Sequence, residues 1–305
     1  MSTYAFFWGC SIPAKYPYLE KTTRLVLDRL GVPYRDLDNF TCCPEKTLVN
    51  NLDPDLWKVA AARNVAVAEE AGMGVLTACT GCYSTLKSAS SHLRIYTEDL
   101  NFVNERLKEV GLEFSGKIHG KIKHIIQYLH DDLGLTKLQK AVVKSMKGMR
   151  IAVHGGCHLV RPSKAIHFDD PIQPVKFDRL VEALGAEALE YKTKMLCCGG
   201  SLDRVDQSAE ALEVARVKLV ELKRLGVDAI TTTCPECFKV YDSNQFFLQR
   251  RKKESYGIPV ITYQQLLGLA MGFSSEEVGL SNHKIGSEAF LEKFERLNQS
   301  AGASR

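Results

Sequence analysis

The sequence predicts an α/β protein of two pseudo-symmetric, Rossmann-like βαβ half-domains, with a helical insert between them and cysteines at the carboxyl ends of the strands. Three observations carry this reading. Short β-prone apolar runs alternate with segments of helical period. The cysteines form two copies of one pattern, Cys10, Cys42-Cys43, Cys79-x-x-Cys82 and Cys157, Cys197-Cys198, Cys234-x-x-Cys237, and the interval from Cys43 to Cys79 equals that from Cys198 to Cys234. The helix stop Leu30-Gly31 of the first half is echoed by Leu184-Gly185 of the second.

Taken in order, Thr3 to Gly9 is a β-prone run that ends at Cys10. Tyr18 to Leu30 has helical spacing and stops at Gly31. Tyr34 to Leu37 is a second strand, and the loop after it carries Cys42-Cys43-Pro44. Asp53-Pro54 caps a long helix that reaches about Ala71. Gly74 to Ala78 is a strand that delivers Cys79-Thr80-Gly81-Cys82. Residues 83–148 read as the helical insert, with periodic pieces at Leu100 to Val110, His124 to Leu129 and Leu138 to Met146. The first half is thus residues 1–148.

The second half, residues 149–273, opens with the strand Arg150 to His154 before Gly155-Gly156-Cys157. Helix Pro174 to Leu184, a strand near Ala188 to Tyr191, and Cys197-Cys198 follow. Helix Ser208 to Leu225 has apolar residues at 212, 215, 219, 222 and 225, one face of a 3.6-residue period, and stops at Gly226. Strand Ala229 to Thr233 leads to Cys234-Pro235-Glu236-Cys237, and Val260 to Thr262 with a helix to about Met271 closes the half. Residues 274–305 read as a polar tail with frayed last residues.

Composition narrows the function. A net charge of +4 from 40 basic and 36 acidic residues is too small and too mixed for a nucleic-acid or membrane-surface partner. The opening MSTYAFFWGC has no basic n-region and no signal-type apolar core, which predicts a cytoplasmic chain. No apolar stretch approaches the roughly 18–20 residues that cross a bilayer, so direct membrane insertion is not expected.

All ten cysteines fall into the two sets. In a reducing cytosol such patterned thiols read as metal ligands, not disulfides. A structural zinc ion takes four ligands, whereas each set here offers five, two of them adjacent. Adjacent cysteines reach different irons of a larger cluster more readily than they share one small tetrahedral ion, and a cubane needs only four. The spacing points to two multinuclear iron sites facing one another, with a zinc-stabilised interaction protein as the alternative. Glycines flank each set and serve either close backbone approach to a cluster or tight turns. His158, directly after Cys157, is a candidate proton donor, and Lys15, Arg161 and Lys164 are candidates to hold acidic groups of a substrate. His154 and His167 read as structural.

This double pattern closely resembles the B subunit of heterodisulfide reductase, together with its relatives, from YAFFWGC through HGGCHLVRP to VITYQQLLGLAMG. The resemblance implies two non-cubane 4Fe–4S clusters, one on Cys10, Cys42, Cys43, Cys79 and Cys82 and one on Cys157, Cys197, Cys198, Cys234 and Cys237. It implies a disulfide substrate between them and reduction of the coenzyme M–coenzyme B disulfide. It also implies electrons from the ferredoxin-like iron-sulfur C subunit, fed in turn by the flavin-containing A subunit of the same complex. A hydrogenase or formate dehydrogenase would stand beyond those. One departure is Pro44, where the second half has Gly199. A sulfur-oxidising relative and an electron-relay module without a substrate are the alternatives, and a relay needs no open cavity between its thiol sets.

Overall fold

In the computed structural model, which describes residues 3–302, the chain forms two four-stranded parallel sheets of one topology. The first contains β1 (Tyr4–Phe7), β2 (Tyr34–Arg35), β3 (Gly74–Thr77) and β4 (Ile122–His124), in the order β2-β1-β3-β4. The second contains β5 (Arg150–His154), β6 (Glu187–Leu189), β7 (Ala229–Thr232) and β8 (Val260–Thr262), in the order β6-β5-β7-β8. Even the registers repeat: Phe7 lies opposite Thr77, and His154 lies opposite Thr232. Residues of β1, β3 and β7 are buried throughout, as strands covered on both faces must be.

The long helices start and stop where their chemistry directs. The helix α1 (Pro17–Arg29) ends one residue before the expected Leu30, and α2 (Pro54–Glu70) begins with the Asp53 carboxylate accepting the Leu56 N–H at 2.9 Å. The helices α3 (Thr80–Leu93) and α4 (Thr97–Lys108) follow. In the second half, α5 (Lys176–Glu182) precedes α6 (Ser208–Leu225), which buries Leu212, Ala215, Leu219 and Leu222 and stops at Gly226 with φ +63°. Then come α7 (Pro235–Lys252) and α8 (Tyr263–Ala270).

Two segments differ from the sequence expectation. The segment read as a helical insert also contains β4, the fourth strand of the first sheet. A three-residue strand running straight into the helical residues Ile125–Leu133 leaves no separate β period to detect. The segment read as a polar tail contains α9 (Glu288–Gly302), whose Phe290 and Phe294 are buried at 2% and 1% exposure. Among many charged residues, only the helical spacing of Phe290, Leu291, Phe294 and Leu297 marked the helix. The expected fraying of the last residues falls partly on 303–305, outside the described residues.

The halves share one core. Helix α8 of the second half lies on α1 of the first, close enough that a Cβ at Gly268 would come within 3.7 Å of Val26. Thr22 on α1 donates to the Val278 carbonyl at 3.0 Å, and Gln265 on α8 donates to the same oxygen at 2.8 Å. Phe294→Ala should therefore destabilise the whole protein by about 3–5 kcal/mol, because a fully buried ring leaves a cavity. Chemical denaturation of the two proteins checks this, and an unchanged midpoint would mean that α9 is a detached tail.

Candidate metal centre

Each site is assembled from three chain segments at the carboxyl edge of its sheet. The first is the turn after β1 or β5. Gly9 has φ +69°, and a Cβ there would lie 2.8 Å from Cys82 Sγ. Gly156, which likewise precedes the upstream cysteine, has φ +78°, and its Cβ would lie 3.4 Å from Cys237 Sγ. In both halves a glycine lets the backbone rest against the last thiol of the set.

The second segment is the strand-to-helix step. Cys79 caps α3 and Cys234 caps α7, with nearly identical backbone angles of −120°, 119° and −121°, 124°. Cys82 and Cys237 sit in the first turns that follow. A helix start leaves its first N–H groups without partners and carries partial positive charge, a pull toward anionic sulfur that neighbouring thiols and burial override at Cys79, Cys82 and Cys237, while Cys234 is lowered. The third segment is the adjacent pair. Gly199 N–H donates to Cys197 Sγ at 3.4 Å, and Gly200 N–H donates to Cys198 Sγ at 3.3 Å.

All ten cysteines line a single cavity. Its volume is about 150 Å³, roughly ten times what admits one water, so it suits a multi-atom group better than a single ion. Cys43, Cys82, Cys198, Cys234 and Cys237 are buried at 4–7% exposure, whereas Cys10, Cys42 and Cys197 are exposed. The halves approach through their thiols: Cys79 and Cys234 lie near enough to perturb one another's ionisation. Within the second set, Cys237 Sγ is 3.5 Å from Cys198 Sγ.

Crowding decides the thiols' chemistry. Hydrogen bonds from Cys157 and Cys198 pull Cys197 down to about 2, while the bond to Cys197 pushes Cys198 up to about 12. The same split lowers Cys43, hydrogen-bonded to Cys42, and raises Cys42. Sulfurs this close cannot all ionise unless a cation shares the cavity. Thiolate donors, glycine clearances and backbone N–H groups aimed at sulfur all fit an iron–sulfur group.

Of the other sequence candidates, His158 lines the cavity, and Lys15, Arg161 and Lys164 are not among its lining residues. The Arg161 guanidinium is held by the Pro171 carbonyl at 2.7 Å. Sequence reasoning missed Arg204, which lines the cavity between Glu236 of its own half, at 2.8 Å, and Glu45 of the other, at 3.8 Å. It also missed His154, whose ring nitrogen lies within 4.8 Å of Cys198 Sγ and Cys237 Sγ. A lysine on the apolar face of α6, Lys218, was the available sign, since a buried lysine needs a partner and here has His154 Nδ1 at 3.0 Å.

The family profile "CCG: Cysteine-rich domain" matches the chain twice, over residues 4–87 and 151–240. The chain is 38% identical over 299 residues to the B subunit of ferredoxin/F(420)H(2)-dependent CoB-CoM heterodisulfide reductase from Methanosarcina acetivorans, covering 98% of this chain and 99% of that one. It is 38% identical over 305 residues to the B subunit of ferredoxin:CoB-CoM heterodisulfide reductase from Methanosarcina mazei, covering 100% of both. Among solved structures, a hypothetical protein from Helicobacter pylori shares the fold with a TM-score of 0.72 at 17% identity, over 93% of this chain and 52% of that one.

The glycine clearances give a test. Gly9→Ala forces a side chain into the left-handed region, at a cost on the order of 1–2 kcal/mol, and drives its Cβ against Cys82 Sγ. Metal analysis and visible spectroscopy of the anaerobically isolated variant should show the first site damaged and the second retained. An unaltered first site would contradict the described packing.

Proposed function

The chain belongs to the cysteine-rich CCG-domain family, as a relative of the heterodisulfide reductase B subunit, and on that premise we propose that it is the disulfide-cleaving subunit of a heterodisulfide reductase complex. The reaction is reduction of the coenzyme M–coenzyme B disulfide, with two electrons and two protons, to two thiols. The observation that carries the proposal is that both sets of five thiols open on one cavity. A relay module without a substrate has no use for such a space.

In this reading each set of five cysteines would hold one non-cubane 4Fe–4S cluster, which when bound would supply electrons for breaking the sulfur–sulfur bond. The chain's own groups do the rest. The buried thiols form the floor, and the exposed Cys10, Cys42 and Cys197 form the rim at which a disulfide enters. His158, on the cavity wall, is the donor that protonates a departing thiolate. Arg204 replaces Lys15, Arg161 and Lys164 as our choice to hold an acidic end of the substrate, since its guanidinium is at the cavity. Electrons arrive from the ferredoxin-like iron-sulfur C subunit, which draws on the flavin-containing A subunit, with a hydrogenase or formate dehydrogenase beyond. We place the complex in the cytoplasm; among the described residues no helix is long and apolar enough to cross a membrane.

Iron and acid-labile sulfide analysis of anaerobically prepared protein should give about eight irons per chain, four per thiol set. Cys198→Ser should remove about half of that iron and leave the first site's spectrum recognisable, because the two sites sit on separate sheets. About four irons in the unaltered protein, or zinc in their place, would refute the proposal.

A further inference from the structure

The two halves are repeats, so residues at one site have counterparts at the other, and several of these pairs differ in their capacity to donate a hydrogen bond to the thiols. At the end of β5, opposite Thr232, stands His154; at the end of β1, opposite Thr77, stands Phe7. His154 is 1% exposed, and a ring nitrogen lies within 4.8 Å of Cys198 Sγ and Cys237 Sγ. Its Nδ1 is 3.0 Å from Nζ of the fully buried Lys218, whose other partner is the Lys194 carbonyl at 2.8 Å. The lysine nitrogen has protons for both acceptors and donates to Nδ1. The ring proton then sits on Nε2, which is buried without a partner among the protein's atoms. A protonated nitrogen does not ligate a metal. It has no acceptor among the protein's own atoms, and its N–H is available to the sulfur of a group held by the second set, whose Cys198 and Cys237 lie beside the ring.

By the cysteine spacing, the counterpart of Lys218 is Arg63, which binds the Asn39 carbonyl at 2.8 Å instead. Tyr241, whose ring meets His154 edge-on at 4.9 Å, has Leu86 as its counterpart. The Gly199 N–H that reaches Cys197 Sγ has Pro44 as its counterpart, and proline has no N–H to give. Three of these differences, His154 for Phe7, Tyr241 for Leu86 and Gly199 for Pro44, add a hydrogen-bond donor or a polar group at the second set, and the fourth turns Arg63 away to a loop carbonyl where Lys218 holds His154. Donors to the sulfurs of an iron–sulfur site stabilise its reduced, more negative state and raise its potential.

We propose that His154, oriented by Lys218, acts with the Gly199 N–H to make the second cysteine site accept electrons more readily than the first, so that the two halves work in order and are not interchangeable. His154 and Lys218 are positioning residues. The inference rests on reading both thiol sets as iron–sulfur sites.

A redox titration of the anaerobically isolated complex, followed by electron paramagnetic resonance, reads both midpoints. Cys42→Ser and Cys197→Ser proteins assign the signals. The second site should have the more positive midpoint. His154→Phe, which installs the first half's residue, should shift the second site's reduction equilibrium toward the oxidised state by about tenfold, ~59 mV for one electron, and leave the first site in place. Lys218→Met, which keeps the imidazole but removes the group that orients it, should shift the second site in the same direction. Equal midpoints in the unaltered complex, or a second-site midpoint that neither substitution moves, would overturn this inference and leave the proposed function standing. Failure of either thiol set to bind iron in the unaltered complex would overturn both.

Discussion

Two helix starts meet at the centre of this molecule, each capped by a cysteine, and the rest of the architecture follows from holding them there. Cys79 and Cys234 can be neighbours only because each lies at the carboxyl end of a central strand and because the two sheets present those ends to one another. The packing of α8 on α1 fixes that arrangement far from the thiols, through buried contacts that need no metal. Arg204, between Glu45 and Glu236, fixes it again at the cavity. The site is therefore a property of the interface between repeats. Neither half alone lines the cavity.

The electrostatic consequence is a cavity that demands cations. Crowded thiols suppress one another's ionisation, while helix N-termini and backbone N–H groups favour the anionic form. The two tendencies are reconciled when iron neutralises the sulfurs. Gly9 serves the same end sterically, since a side chain there would press on the Cys82 thiol behind it, and Gly156 supplies the left-handed turn that sets its backbone beside Cys237.

Most of this was legible in the sequence because it is written in local signals. Equal cysteine intervals disclose the duplication, and strand-end positions disclose where the thiols gather. The α6 stripe, its stop at Gly226 and the Asp53 cap all appear where spacing and capping chemistry put them. What stayed hidden depends on contacts distant in sequence. β4 is too short to carry its own period, and α9 shows only two buried rings among charges. Arg204 looks like any surface arginine until the other half supplies Glu45. His154 reads as the last residue of a buried strand until α6 brings Lys218 to its Nδ1.

The central claim is that one substrate touches both sites across the shared cavity. Its most direct test is the response of the oxidised, iron-loaded complex to thiols. One half-substrate thiol should perturb the spectrum of one site, and both thiols together should perturb both. If saturating thiols or the disulfide left both iron environments unchanged, cleavage between the two sites would be contradicted.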